Sequence, residues 1–441
     1  MPLQELVRPS ELPQTPAPER GFDCDVAIVG AGIAGATLAA ALKNTGLKVA
    51  LIEAQTQAAA ASKQQVYAIS LLSGRIFQGI GVWDKILPKI ATFTQIRLSD
   101  ADRAGVVQFQ PADLGTDSLG YVGEHRAILP ALQEFLSECP NITWLCPAEV
   151  ASVDCQPDAV LVETRSLSSL PVHRRDACAT PESASPTQPG ETRLIRTRLV
   201  VAADGARSPV RIAAGIRTRG WKYWQSCITT RIKPEKPHNN IAYERFWPSG
   251  PFAILPLPDN RCNIVWTAPH EEAKALFELD DEQFLAELTK RYGTQMGRLE
   301  LEGKRLMFQV QLMQSERYVL PRLALIGDAA HCCHPVGGQG LNLGIRDAAA
   351  LAQVLGDAHR QGLDIGSVPV LAGYERWRKL ENLTILGFTD FLDRLFSNSW
   401  LPLVAIRRLG LWVLRNIGPV RVFALRLMTG MQGRTPQLAK R

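Results

Sequence analysis

Two glycine-rich segments, almost 300 residues apart, hold the residue types best suited to chemistry. The first is Gly30-Ala31-Gly32-Ile33-Ala34-Gly35, and the second runs from Leu325 to Asp347, L-I-G-D-A-A-H-C-C-H-P-V-G-G-Q-G-L-N-L-G-I-R-D. In the first, Gly30 permits a tight turn, Gly32 lets backbone approach a pyrophosphate, and Gly35 allows close helix–strand packing. The helix that follows would aim its amide hydrogens and positive dipole end at the phosphates. Glu53 stands 18 residues after Gly35, at the end of the next strand pattern. A carboxylate there can accept from both ribose hydroxyls of an adenosine. Its charge also repels a 2′-phosphate, so a dinucleotide other than NADP is expected.

The second segment suits a different part of a ligand. Gly327-Asp328 follows the strand pattern L-A-L-I, and Asp328 can accept from sugar-alcohol hydroxyls. Pro335-Val336-Gly337-Gly338-Gln339-Gly340 carries little side-chain bulk and leads into a helix near Leu341-Asn342. Such a loop lets a flat ring lie against backbone, and a helix N-terminus stabilises negative charge on the ring edge, as a reduced flavin develops it. One segment for phosphates and another for a ring imply one long cofactor held at both ends, which selects FAD over a nicotinamide nucleotide. Asp204-Gly205 follows a third strand pattern, V-V-A-A, and reads as a turn on composition alone.

Other constellations fall away. His331 and His334 flank Cys332 and Cys333, but no third ligand lies in phase, and no metal is expected. Ser208 follows Gly-Ala-Arg and does not fit a nucleophile elbow.

The elements that must position these groups are legible as patterns. Asp25–Gly30 and Lys48–Glu53 read as buried strands around a small-residue helix over 36–44, a β-α-β unit. Helical patterns cover 71–79 and 128–139, and strands cover 160–164 and 194–202. Aromatic and β-branched alternation over 221–266, broken by proline-rich turns, predicts an antiparallel sheet inserted into the first domain. Long helices are predicted over 340–356 and 371–391, then an apolar, basic helical stretch interrupted at Gly418-Pro419. The fold class expected is α/β: a Rossmann-like FAD-binding domain, an inserted antiparallel β-sheet substrate domain, and a helical C-terminal tail. Residues 1–21 form a disordered lead-in. Residues 22–95, 120–215 and 319–392 form the FAD-binding domain, with a disordered Ser/Pro-rich insertion at 166–192. Residues 96–119 and 216–318 form the substrate domain, and 393–441 a basic amphipathic tail.

At 441 residues the chain is long enough for two or three domains. Its net charge of +6 is uneven: residues 394–441 hold nine Lys/Arg and no Asp/Glu, leaving 40 basic against 43 acidic groups elsewhere. The basicity belongs to the tail, so a nucleic-acid-binding surface is not expected. Nine scattered cysteines without a Cys-x-x-Cys unit suit a reducing compartment. The first 20 residues carry prolines at 2, 9, 13, 16 and 18 and no apolar run, so no signal peptide is read there. A cytoplasmic protein is expected, peripheral on a membrane if the tail engages one.

Together these residues resemble the class A flavoprotein monooxygenases of the para-hydroxybenzoate hydroxylase fold, and more closely the ubiquinone-biosynthesis hydroxylases. The signature His-Pro-x-x-Gly-Gln-Gly-Leu-Asn-Leu-Gly-x-Arg-Asp is complete from His334 to Asp347, and the resemblance spans residues 22–395 outside the insertion. It implies that Asp204-Gly205 supports the FAD pyrophosphate and nicotinamide contacts, and that Asp328 binds the ribitol. It assigns Pro335, Gly338, Gly340, Leu341 and Asn342 to the flavin ring. It suggests Arg126, in G-E-H-R-A-I-L, for the FAD phosphate or ribitol region, and Pro251–Leu257 as a strand facing substrate and flavin. Lys63-Gln64-Gln65 stands where many members carry Asp-x-Arg, so that arginine's contact has no counterpart here.

The reaction implied by the resemblance has two halves. NADH or NADPH binds transiently and reduces FAD. The reduced flavin takes O2 to a C4a-hydroperoxide, whose distal OH passes to an electron-rich, lipophilic phenol such as a prenylated quinone precursor. The sequence identifies no base for that phenol. Two other readings stay open: a non-oxygenating FAD-dependent reductase of a prenyl lipid, and a non-catalytic flavoprotein subunit bound to other quinone-biosynthesis proteins. In the tail, Arg408 and Arg415 share a helical face, and Trp400 and Trp412 suit an interface. A membrane surface and the protein's own body are equally good partners for it.

Overall fold

Strand Cys24–Val29 is apolar and buried along most of its length, as a strand covered on both faces must be. It lies at the centre of a sheet whose neighbours run in the order Val319–Leu320, Leu323–Leu325, Thr192–Ala202, Cys24–Val29, Val49–Ile52 and Ile142–Leu145. The four pairings from Leu323–Leu325 to Ile142–Leu145 are parallel. Strands Ala148–Cys155 and Val160–Ser166 continue from Thr192–Ala202 in antiparallel fashion. This computed structural model describes residues 21–100, 105–167, 190–293 and 295–440. The expected disordered lead-in (1–20) and the body of the expected Ser/Pro insertion (168–189) lie outside the described residues.

Helix Ile33–Ala41 connects the first two parallel strands and packs on the long helix Gln339–Arg360. Small residues let the two approach: a Cβ placed on Gly344 would lie 3.3 Å from the Ala34 Cβ and 3.2 Å from the Gly327 Cα. The helix begins at Ile33, three residues before the sequence pattern placed it, because Gly32 takes the N-cap and glycine is tolerated in the first turn.

The second sheet follows the order His331–Cys332, Leu306–Ser315, Thr218–Pro234, Arg261–Pro269, Gly250–Leu257, Ile241–Trp247, Gln95–Asp100 and Val106–Phe109. It is antiparallel except where Ile241–Trp247 pairs in parallel with Gln95–Asp100. The short strand His331–Cys332 ties the glycine-rich segment directly to this sheet. A smaller sheet pairs Val66–Ser70 and Ala91–Phe93 with Gly120–Glu124, its strands interleaved in sequence with those of the second sheet.

The tail forms helices Leu401–Asn416 and Gly418–Met428, the second opening at the Gly-Pro interruption. Its inner face packs on the body. Arg407 is buried and meets the buried Asp100 at 3.1 Å, and Arg421 meets Asp113 at 2.9 Å. A Cβ on Gly79 would strike the Leu438 carbonyl oxygen at 1.8 Å, so the end of the chain sits directly on helix Leu71–Ile80. The outer face is apolar, exposing Trp400, Leu401, Leu409, Trp412 and Phe423. The charge pattern expected of a basic amphipathic tail is thus partly inverted, since Arg407 and Arg421 turn inward to carboxylates.

Candidate active site

A cleft of about 1480 Å³ opens along the carboxyl ends of the central parallel strands. That exceeds the ~300–1,000 Å³ usual for small-molecule sites, as an extended dinucleotide requires. Gly30, Gly32, Glu53, Asp204, Gly205, Asp328, Gly340 and Leu341 all line it. Residues from three distant stretches of sequence therefore face one space.

At one end, helix Ile33–Ala41 starts from Gly32 with no side chain capping its first turn. Free amides at a helix N-terminus bind anions. Gly35 does not line the cleft. It makes the cleft possible, because a Cβ there would lie 2.0 Å from the Gly30 carbonyl oxygen. Gly30 itself has φ +97°, a conformation that favours glycine. Glu53 accepts from the Ala31 amide at 2.9 Å and the Gln55 amide at 3.0 Å, which fixes its carboxylate at the cleft wall.

In the middle stand two carboxyl groups with spare acceptor capacity. Asp204 accepts from the Val210 amide through one oxygen, and its other oxygen is buried without a partner. Burial pushes its carboxyl above the ordinary range. The Asp328 side chain opens onto the cleft, and the protein surrounding it restricts hydration and raises its pKa too. Sugar hydroxyls donate well to such acceptors. Lys63, Gln65, Tyr67 and His125 complete this wall. Tyr67 Oη lies 3.2 Å from His125 Nδ1, and His125 Nε2 lies 3.0 Å from the Ala60 carbonyl. Burial lowers the His125 pKa, which keeps the ring neutral near pH 7.

At the other end, helix Gln339–Arg360 also starts without a side-chain cap, and Gly340 and Leu341 present it to the cleft. Asn342 and Gly338 hold this turn in place from behind. Asn342 Oδ1 accepts from the Ser70 amide at 2.8 Å and the Ser73 hydroxyl at 2.7 Å, while its Nδ2 donates to the Ala68 and Gly338 carbonyls. Gly338 has φ +60°, and a Cβ there would press on the Ala68 Cβ at 2.8 Å. Pro335 precedes the turn and accepts from the Gly338 amide. Pro335, Gly338 and Asn342 thus shape the loop without lining the cleft.

Arg126 sits in the first turn of helix His125–Ser137, as expected, but its half-exposed guanidinium pairs with Glu124 at 3.1 Å and does not line the cleft. Glu124 also lies 3.4 Å from both Arg231 and Arg261, so it gathers the nearby cations.

The histidines beside the loop are held in buried polar contacts. His331 Nε2 lies 2.6 Å from Asp347 Oδ2, and Arg378 donates to the other oxygen at 2.8 Å. Burial alone would raise the Asp347 pKa, but the charges of His331 and Arg378 hold it at about 2. His334 Nδ1 accepts from the Val336 amide, and its Nε2 faces Asp393 at 3.4 Å. Among the described residues no group of three or more His, Cys, Asp or Glu side chains is arranged to hold a metal ion.

A second space lies behind the same turn. It is a narrow cavity of about 70 Å³ with an almost wholly apolar wall. Leu98 and Phe246 from the second sheet, Val336 and Gly337 from the loop, Phe396 from the end of helix Val368–Phe396 and Leu411 from the tail line it. Its polar members are Glu244, Gln339 and Thr389. It is smaller than the ~150 Å³ that accommodates a benzene ring in an engineered core. An aromatic ring enters only if the roof of terminal helices shifts outward. Sequence reasoning missed Glu244 because a single acid in an alternating strand resembles a solvent-facing residue.

The cleft residues fit FAD: uncapped helix ends at both extremities, a fixed carboxylate at the adenosine end, and unpartnered acceptors between them. A family model described as FAD binding domain matches residues 23–366. The chain is 52% identical over 415 residues to an uncharacterized protein of Synechocystis sp., covering 94% of this chain and 95% of that one. It is 38% identical over 409 residues to the ubiquinone hydroxylase UbiL of Rhodospirillum rubrum, covering 92% and 89%. The solved structure of p-nitrophenol 4-monooxygenase PnpA from Pseudomonas putida matches with a TM-score of 0.73 at 19% identity, over 93% of this chain and 98% of that one, a likeness of fold. The chain belongs to the FAD-binding-domain family that includes ubiquinone hydroxylases, and it is an FAD-dependent monooxygenase.

Proposed function

We propose that this monooxygenase hydroxylates the phenolic ring of a membrane-dissolved, prenylated quinone precursor, with NADH or NADPH as a transient reductant. The observation that carries the reading is the apolar cavity shared by the ring-facing loop, the second sheet and the terminal helices. FAD, when bound, supplies the activation of oxygen. The chain supplies position: Gly340 and Leu341 bring the first turn of their helix to the cofactor cleft, while Gln339, beside them, faces the cavity. The apolar wall excludes water from that junction, which protects reactive intermediates and strengthens local electrostatics. The relatives named as hydroxylases favour this activity over a reductase of prenyl lipids or a non-catalytic subunit.

The outer face of the tail supports delivery from a lipid surface. Trp400, Leu401, Leu409, Trp412 and Phe423 are exposed there, and the exposed Arg415 and Arg426 lie on the same two helices. Aromatic and basic side chains of that kind favour the interface of an anionic bilayer. No helix among the described residues is long and apolar enough to cross a membrane, so contact would be peripheral. The test uses full-length, FAD-loaded protein with Leu409→Glu and Trp412→Glu, because truncation would remove the buried Arg407–Asp100 pair. Cosedimentation with vesicles containing anionic lipid should fall at least tenfold, with thermal stability unchanged. Equal sedimentation by wild type and variant would overturn the membrane reading. Product analysis with 2-prenylphenol, NADH or NADPH and O2 tests the chemistry separately.

A further inference from the structure

Tyr67 and His125 share the wall of the cofactor cleft between its two ends. Antiparallel pairing of Val66–Ser70 with Gly120–Glu124 brings them together, and the His125 amide donates to the Gln65 carbonyl at 2.8 Å. The donors and acceptors of the pair can be assigned. His125 Nε2 lies 3.0 Å from the Ala60 carbonyl, which can only accept, so Nε2 carries the ring hydrogen. Burial lowers the His125 pKa and keeps the ring neutral, so Nδ1 holds a lone pair. The Tyr67 hydroxyl, 3.2 Å away, therefore donates to Nδ1, with Gln65 Oε1 at 3.4 Å as a second acceptor. Its one hydrogen is committed inside the protein. The oxygen keeps its lone pairs, and no group among the described residues donates to it.

Two neighbours locate this oxygen along the cleft. Ala68, next in the strand, touches the ring-side turn, where its carbonyl accepts from Asn342 Nδ2 at 2.8 Å. Burial raises the Tyr67 pKa and the Asp328 carboxyl adds to the effect, so the two groups face one stretch of the cleft. Both accept hydrogen bonds. Neighbouring acceptors suit a polyol, in which every hydroxyl brings its own hydrogen. They do not suit the ring edge of a flavin, where a single N–H stands between two carbonyl oxygens that such acceptors repel. We propose that Tyr67 is a cofactor-positioning residue: its hydroxyl oxygen accepts from one ribitol hydroxyl of FAD, beside the hydroxyl that Asp328 takes, while His125 holds the tyrosine hydrogen. A hydroxyl has one hydrogen, so Tyr67 and Asp328 draw on different ribitol positions. Together they fix the ribitol close to the turn at 338–342, which seats the ring against that turn. The assignment concerns the cofactor and is independent of the substrate.

The test is a thermodynamic cycle between one side chain and one hydroxyl. Full-length protein stripped of flavin is titrated with FAD and with its 2′-, 3′- and 4′-deoxyribityl analogues, followed by flavin fluorescence. Wild type should bind two of the analogues about tenfold more weakly than FAD, one lacking the hydroxyl for Tyr67 and one lacking that for Asp328, each the cost of one unmade hydrogen bond. Tyr67→Phe keeps the ring and loses the acceptor. It should bind FAD about tenfold more weakly than wild type does and bind one of those two analogues as well as FAD, to about twofold, while the other penalty persists. Tyr67→Met removes the acceptor in a second way and should give the same pattern. The flavin-free Tyr67→Phe protein should melt within a few degrees of wild type, since a single hydroxyl is lost. A merely structural tyrosine would weaken FAD and all three analogues by one common factor, and that outcome overturns the assignment. So does wild-type affinity for FAD in Tyr67→Phe, and so does a wild type that binds FAD and every analogue equally.

Discussion

The cofactor cleft and the apolar cavity meet at one helical turn and are built on opposite plans. The cleft is wide and rich in hydrogen-bonding groups, and glycines line its critical turns. The cavity is narrow, and nearly every atom of its wall is carbon. Gly340 and Leu341 face the first space, and Gln339 the second. The contrast teaches how the chain can divide labour. A charged, flexible dinucleotide needs many fixed donors and acceptors, whereas a lipophilic ring needs exclusion of water and a few polar groups. The two requirements are incompatible in one pocket, so they are served on the two sides of one backbone turn.

The substitution with the largest expected effect strikes both regions at once. Asp347 anchors helix Gln339–Arg360, the wall they share, to His331, Arg378, the Asn382 side chain and the Gly327 amide. Asp347→Asn removes one of the two counter-charges of the buried Arg378, leaving Glu381, and takes the carboxylate from His331, which costs roughly 3 kcal/mol. Chemical denaturation should show that loss, with lower flavin content and weaker phenol binding together. The pH dependence has a defined sign. The folded pKa, about 2, lies below the ordinary 3.8, so the stabilisation is present above pH 4 and is lost as pH falls towards 2. The variant should lack that part of the acid transition.

Arg407→Ala should separate the regions by damaging only the cavity roof. It strands the buried Asp100 and frees the Phe396 and Asn398 carbonyls that Arg407 now satisfies. A loss of about 3 kcal/mol is expected, with faster proteolysis of the tail, weaker binding of 2-prenylphenol and normal flavin content. Adding Asp100→Leu should restore most of the stability; a double variant no more stable than the single would deny the pair its role.

The converse separation comes from Gly35→Ala. Its new Cβ collides with the Gly30 carbonyl, and overpacking of this kind costs roughly 1–3 kcal/mol. Flavin absorbance per protein should fall by more than half, while binding of 2-prenylphenol, measured calorimetrically, stays within about threefold of wild type, a difference under ~1 kcal/mol. If phenol binding drops in parallel with flavin, the two regions are not independent.

Much of the cleft was legible from local rules. The β-α-β unit appeared within three residues of its observed boundaries, because strand burial and small helical residues leave a period that spacing alone reveals. Asp328 and Glu53 stood at the ends of apolar strands, where a carboxylate has few structural uses. Arg126 was read as a contact to the FAD phosphate or ribitol region; its guanidinium pairs with Glu124, two residues away, a partner that sequence patterns cannot rank against a distant ligand. The second sheet was visible as alternation, but its parallel pairing with Gln95–Asp100 was not, since that partner comes from a remote stretch. The tail's amphipathicity was visible too, but the inward pairing of Arg407 with Asp100 was not, since the two stand about 300 residues apart in sequence.

By itself the sequence determined the cofactor class and the places where backbone must come close to it. Glycine spacing, strand ends and the His334–Asp347 signature are constraints on consecutive residues, and consecutive residues are what a sequence displays. Tertiary structure alone decided which side chains share a wall. Glu244, Gln339, Phe396 and Leu411 converge on one cavity from a sheet strand, a glycine loop, the end of helix Val368–Phe396 and a tail helix. Which residues share that wall is a property of the convergence, and it makes an unremarked glutamate the one ionisable residue among those that line the cavity.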